Sequence, residues 1–458
     1  MIAIMPSILT RRNLLKSAAA TVCVSAMPQL RALQSSIISS ERTRWFSQAK
    51  FGMFIHWGPY SVASVEASWP VLVPTPGGIS EAEYIALPKR FNPANFDPDS
   101  WVSLAKSAGQ RYIVFTTKHH DGFCMFDSAY TRYKITNTPY GKDIVAQLSA
   151  ACARQNMPVG FYYSPPDENH PDFRDTSKPI AKNYRGEPER PEWPIYLDYM
   201  SLQLDELLTR YGPVATIWFD KVVAEQTPQF DGPRFLDQIH RRQPLTLVNN
   251  RLGGGDYDTP EQFIPKTIPV KSMRLDSPEH QNADRPSNVV PRPEDFRLWE
   301  SCMTINETWA YNRNDHKYKS VDILIRSLVE VVSRGGNLLL DVGPGPDGTI
   351  QPEFQERLLA VGKWLDGNGA AIYGTTYGPI QGQTAFRTTA KARHIYVHVF
   401  EWPSISLQLP PLSPKIISAK MLVEGSQVPF TQSSSAISLR LPARAPEQSV
   451  RVIDLRLA

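Results

Sequence analysis

Cysteine is scarce in this 458-residue chain: Cys23, Cys124, Cys152 and Cys302 are the whole complement. Their scatter excludes a disulfide framework, and the absence of any Cys-x-x-Cys pair excludes the common zinc ribbons. No apolar run reaches the roughly 20 residues that a bilayer-spanning helix needs. No acidic residue occurs before Glu41, and the first 32 residues hold four cations, Arg11, Arg12, Lys16 and Arg31. These four account for the net charge of +4, so the rest of the chain is close to neutral. Nothing there offers the clustered basic face that a nucleic-acid partner requires. The chain has neither internal repeats nor low-complexity tracts.

What is present begins at the N-terminus. Thr10-Arg11-Arg12-Asn13-Leu14-Leu15-Lys16, followed by the small and apolar stretch Ser17–Met27, matches a twin-arginine export signal. Residues 1–32 are therefore expected to be a removable address rather than a span, sending the protein to the periplasm or outside the cell. Ten Trp, 18 Tyr and 19 Phe suffice for a large core and for platforms that suit the C–H faces of sugar rings.

From about 40 to 375, short apolar runs alternate with helical patterns, the mark of βα units and a parallel sheet. The strand candidates are Phe51–His56, Tyr112–Thr117, Val159–Ser164, Val214–Asp220, Leu245–Asn250, Leu298–Met303, Asn337–Val342 and Ala371–Tyr373. Eight such strands predict an α/β fold, a closed (β/α)8-like TIM barrel. Over 376–458 the runs His394–Phe400, Ile405–Leu409, Ala436–Leu441 and Val450–Leu457 alternate apolar with polar residues, predicting an antiparallel β-sandwich. His56, Lys118-His119-His120-Asp121, Tyr163, Asp220, Arg251 and Glu300 fall at predicted strand ends, the barrel face where catalytic groups collect. The long segments 165–194 and 271–295 start there too and are expected to wall a pocket.

Asp220 follows the apolar run Ile217-Trp218-Phe219, where a carboxylate is costly to bury without partners. Its alternative role is that of a helix N-cap. Glycoside hydrolysis needs a second carboxyl group. The glycine-rich stretch after Arg251 offers Asp256, Asp258 and Glu261. The His119-His120 pair, with Asp121, also admits a metal reading, although metallohydrolase barrels usually space two His at i and i+2.

Phe51-Gly52-Met53-Phe54-Ile55-His56-Trp57-Gly58, the Lys-His-His-Asp-Gly-Phe run, Gly160-Phe161-Tyr162-Tyr163-Ser164, Trp218-Phe219-Asp220 and Asn337-Leu338-Leu339-Leu340-Asp341-Val342-Gly343-Pro344 together resemble the α-L-fucosidase family, family 29 of the glycoside hydrolases. The resemblance runs from about Trp45 to the C-terminus. It implies a retaining exo-α-L-fucosidase working through a covalent fucosyl-enzyme, with Asp220 as nucleophile. Glu261 matches the acid/base position and Glu300 is its rival. His56, Trp69, Glu66, His119, His120, Tyr163, Trp218 and Arg251 match sugar-holding residues. No cofactor and no metal are implied. The implied partner is a fucosylated glycan, and a homo-oligomer is compatible with the sequence. Action on a related α-L-galactoside is the alternative, because the segment 62–74 departs from the aromatic and acidic pattern of relatives.

Overall fold

The computed structural model describes residues 41–74, 76–180, 192–220, 230–273, 275, 289–443 and 450–458. The proposed signal, residues 1–32, lies outside them. Seven of the eight predicted strands form one parallel sheet. They are β1 (Phe51–Ile55), β2 (Ile113–Lys118), β3 (Val159–Tyr163), β4 (Thr216–Phe219), β5 (Leu247–Val248), β6 (Glu300–Thr304) and β7 (Asn337–Val342). The sheet runs β5-β4-β3-β2-β1-β7-β6 and curls so that its two edges approach each other.

The eighth predicted strand, Ala371–Tyr373, is not one. The chain leaves a long helix at Asn368 straight into a 3-10 turn, Gly369–Ala371, which leaves no length for a stave. The gap is filled instead by residues 257–262, between β5 and β6. Parallel bridges join Tyr257 to Asn249, Asp258 to Trp299 and Glu261 to Cys302. The amides of Glu300 and Cys302 donate to the carbonyls of Asp258 (2.8 Å) and Pro260 (3.1 Å). This segment is hard to read from sequence because Pro260 has no N–H to give a ladder and interrupts any apolar alternation. It nevertheless closes the barrel, and it carries Glu261.

The helices α1 (Pro98–Ser107), α2 (Ile144–Arg154), α3 (Trp193–Arg210), α4 (Gly232–Arg242), α5 (Val321–Ser333) and α6 (Pro352–Asn368) follow β1, β2, β3, β4, β6 and β7. Four start on side-chain caps that satisfy otherwise orphaned amides: Asp97 for α1, Asp143 for α2, Asp231 for α4 and Ser320 for α5. Strand alternation sends Met53, Ile55 and Phe161 outward against these helices. Phe54, Tyr112, Tyr162, Trp218, Tyr257 and Cys302 point inward and fill the lumen. Gly52 is required there, since a Cβ would sit 2.4 Å from the Tyr112 ring. A helix over 41–49 plugs the lower end, with Phe46 against Tyr257 at 4.5 Å between ring centres.

Antiparallel pairing begins at Thr376. A five-stranded sheet runs β12 (Ile416–Met421), β15 (Arg451–Leu457), β10 (His394–Val399), β9 (Phe386–Lys391), β8 (Thr376–Tyr377). A three-stranded sheet runs β11 (Ser406–Leu409), β14 (Ile437–Arg440), β13 (Phe430–Gln432). Ile395, Val397 and Val399 face the core between the two sheets. Tyr396 and Phe400 join the barrel's own core. Trp364 on α6 donates to the Val450 carbonyl at 2.9 Å, tying the five-stranded sheet to the barrel. Cys124, Cys152 and Cys302 are buried and free. Among the described residues no helix is long and apolar enough to cross a membrane.

Candidate active site

A pocket opens at the C-terminal end of the barrel strands, lined in part by His56, His119, Tyr162, Trp218, Asp220 and Glu261. Asp220 immediately follows β4, and its two oxygens are separately held. Arg251 Nη1 donates to Oδ1 at 2.8 Å and the Tyr162 hydroxyl donates to Oδ2 at 2.5 Å. His120 Nε2 lies 3.3 Å from the same Oδ2. Burial opposes ionisation of Asp220. The hydrogen bond and charge of His120, then the charge of Arg251 and the Tyr162 hydroxyl, outweigh it and hold the carboxyl well below its usual range. The helix N-cap alternative turns on residues 221–229, which lie outside the described residues.

Arg251 is the hub. The same Nη1 lies 2.8 Å from Glu261 Oε2, Nε donates to Thr259 Oγ1 at 3.0 Å, and the guanidinium rests 4.6 Å over the Trp218 ring. Burial works against its charge, but Glu261 and Asp220 more than offset that and raise its pKa. Glu261 itself has a side chain 41% exposed, which leaves it reachable from the cavity.

The three histidines are each fixed through Nδ1. His56 meets buried Asp341 at 2.7 Å, His119 meets Ser68 at 2.5 Å and His120 meets Ser164 at 2.6 Å. Ser164 gives its own proton to the Pro166 carbonyl at 2.6 Å, so His120 Nδ1 is the donor in that pair. Burial pushes His56 down to about 3 and His119 well below its ordinary value, so both rings are neutral. Asp121 is not part of the pocket. It accepts from Tyr84 at 2.7 Å and from the Phe123 amide, turning the chain after β2.

Two expectations need correction. Tyr163 does not reach the cavity. Its hydroxyl donates to Gln203 on α3 at 2.8 Å, and its ring stacks under the Lys118 ammonium on the outer face. Tyr162 occupies the pocket instead, between the rings of His119 (5.4 Å, 1°) and Trp218 (5.6 Å, 15°). Side chains alternate along a strand, so placing the tyrosine one residue off puts it on the wrong side of the barrel wall. The inward set Gly160, Tyr162, Ser164 was the available signal. The second concerns Glu300, which opens β6 rather than ending it, opposite Asn337 at the start of β7. It lies fully buried beneath Trp218, whose Nε1 donates to Oε1 at 3.0 Å, while Tyr112 donates to Oε2.

Glu66 lines the adjoining groove, its carboxylate accepting from the Trp309 amide at 2.8 Å. Burial raises it to about 7. Trp69 borders both cavities. Phe54, Cys302 and Trp309 also line the pocket and were not anticipated; Trp309 packs on His56 at 5.0 Å. Parts of the two long segments, residues 181–191 and 276–288, lie outside the described residues.

Ligand atoms of His119, His120 and Asp220 all lie within 4.8 Å of one another, a spacing a metal could use. A cation there would stand beside the Arg251 guanidinium, and Asp220 already has a donor on each oxygen. A carboxylate held this way beside neutral hydroxyl-binding imidazoles and aromatic faces suits a sugar ring. The sequence pattern of the α-L-fucosidase family matches residues 18–370. The chain belongs to the α-L-fucosidase family. Tissue α-L-fucosidase of Rattus norvegicus is 30% identical over 90% of this chain and 88% of its own length. Among solved structures, α-L-fucosidase isoenzyme 1 from Paenibacillus thiaminolyticus is 34% identical with a TM-score of 0.81, covering 92% of this chain and all of its own. A Bacteroides thetaiotaomicron α-L-fucosidase, trapped as a covalent intermediate in a glutamate-to-glutamine variant, has a TM-score of 0.75 at 26% identity over 91% of this chain and 96% of its own. These relatives share the barrel with a C-terminal β domain, the architecture described above.

The buried glutamate under Trp218 yields a stability expectation. Burial raises Glu300 to about 7, against the weaker pull of Tyr112, Trp218 and Arg251. Between pH 4.5 and 7 the folded chain keeps a proton that the unfolded chain has released, so this contribution falls as pH rises. Glu300→Gln mimics the protonated acid at every pH. Wild type is expected to lose about 3 kcal/mol relative to that variant between pH 4.5 and 7. Parallel denaturation curves at all pH values would contradict the assignment.

Proposed function

We propose that this protein removes terminal α-L-fucose from glycans with retention of configuration, with Asp220 as nucleophile and Glu261 as acid/base. Asp220 attacks the anomeric carbon while Glu261 protonates the leaving oxygen, giving a covalent fucosyl-enzyme. Glu261, now ionised, takes a proton from water, which displaces Asp220 and releases fucose. The observation that carries the reading is the shared Arg251 Nη1, 2.8 Å from an oxygen of each carboxyl group. Those oxygens are therefore at most twice that distance apart. Retaining enzymes hold the pair about 5–5.5 Å apart and inverting ones about 6.5–9.5 Å. His56, His119 and His120 bind ring hydroxyls, and Trp218 with Phe54 offers apolar contact to the sugar's methyl group.

Rates on nitrophenyl α-L-fucoside and α-L-galactoside test this reading. The galactoside adds one hydroxyl where the methyl group sits, and the fucoside is expected to be faster by about 10-fold or more. Equal rates would make the sugar assignment wrong, and activity abolished by EDTA would favour the His119, His120 and Asp220 metal cluster. We propose further that residues 1–32 direct export through the twin-arginine route. Lysine at both Arg11 and Arg12 is expected to leave the enzyme in the cytoplasm on fractionation, and unchanged export would refute it.

A further inference from the structure

Asp220 and Glu261 divide the active site. With the sugar between them, the departing group must leave on the Glu261 side. A second cavity lies there, sharing only Trp69, Glu261 and Trp309 with the sugar pocket. The two tryptophans therefore form the gate between the cavities, with the proton donor at the threshold. Beyond the gate the groove is walled by neutral polar groups, Gln262, Thr304, Asn306 and Thr308. Gln262 directly follows Glu261 and holds a left-handed φ of 58°, a strained turn at the point where the acid enters the cavity.

The groove's only cation among the described lining residues is Lys319, and its N–H donors are already engaged. Its ammonium donates to the Thr304 carbonyl at 2.7 Å, the Thr304 hydroxyl at 3.3 Å and the Asn306 carbonyl at 3.0 Å, three acceptors for three protons. Glu66 is bound to the Trp309 amide, and Glu307 at the outer rim pairs with Lys317 at 3.0 Å. Indole faces suit the C–H side of a pyranose, and amides and hydroxyls suit its OH groups. An anion entering the groove would lose its water and find no cation with an unengaged donor among the described lining residues.

Building on the fucosidase reading, we infer that the groove beyond Trp69 and Trp309 is a leaving-group site for a neutral sugar, and that it discriminates against leaving sugars carrying a sulfate. The test compares kcat/KM for three substrates: α-L-fucosyl fluoride, a neutral fucosyl disaccharide, and the same disaccharide sulfated on its non-fucose ring. The neutral disaccharide is expected to exceed the sulfated one by about 10-fold or more. Glu307→Lys and Gln262→Lys, each placing a free cation at the groove, are expected to lower that ratio at least threefold. Glu307 is exposed, so that variant folds even if the other does not. A wild-type ratio near one, or a ratio unmoved by the folded variants, overturns the inference. Failure to turn over the fluoride at all would instead overturn the fucosidase reading itself.

Discussion

Glycine in place of Asp220 is expected to lower kcat/KM on an aryl α-L-fucoside by about 10^4-fold or more, the scale seen when a member of a nucleophilic constellation is removed. The loss alone does not define the role, because several residues here would cost activity if deleted. What the truncation leaves behind does. Arg251 Nη1, the Tyr162 hydroxyl and His120 Nε2 all converge on the carboxylate. Without it they form a donor-lined void with excess positive character, a ready site for a small anion. Added azide is therefore expected to restore turnover with a good leaving group and to give the β-fucosyl azide, inverted relative to substrate. An inactive variant that azide does not rescue, with an unchanged melting temperature, would remove Asp220 from the nucleophile's role. Retention of more than a tenth of the activity would do the same.

Sequence and structure agree most where the chain is most regular. Seven strands were legible because strands buried on both faces read as continuous apolar runs. The eighth stave was not, because its backbone bonds run through Asp258 and Pro260 without any apolar pattern. That failure and the ambiguity over the second carboxyl group have one origin. Glu261 sits on the irregular stave, so its place at the barrel rim could not be deduced from strand periodicity. Glu300 sits on a regular strand but at its first residue, the opposite end from the one expected. Asp220, His56 and His119 were found because each directly follows a clear strand, and Arg251 because it lies just beyond the short β5, in the turn Asn250–Leu252. Their supports Ser68, Ser164 and Asp341 come from distant parts of the chain and are brought together only by closure of the barrel.

The contrast between the two glutamates gives the second large effect. Glu261→Ala is expected to lower kcat/KM by about 10^2–10^4-fold on a substrate with a poor leaving group, the range typical of a lost general acid. A substrate with an acidic phenol needs little protonation and should lose far less in the first step. With it, azide entering from the vacated Glu261 side should attack the fucosyl-enzyme and give the α-fucosyl azide. That product has the opposite configuration to the one expected from the Asp220 variant, so the two carboxyl groups can be assigned to opposite faces of the sugar. Glu300→Gln should stay within a few-fold of wild type on both substrates. Both of its oxygens are already engaged by Tyr112 and Trp218, and the Trp218 ring lies between it and the cavity. The amide can keep both contacts, donating to the tyrosine oxygen and accepting from the indole. If Glu300→Gln instead showed the leaving-group dependence and Glu261→Ala did not, the proton donor would have to reach the substrate from beneath Trp218, and that ring would have to move during turnover.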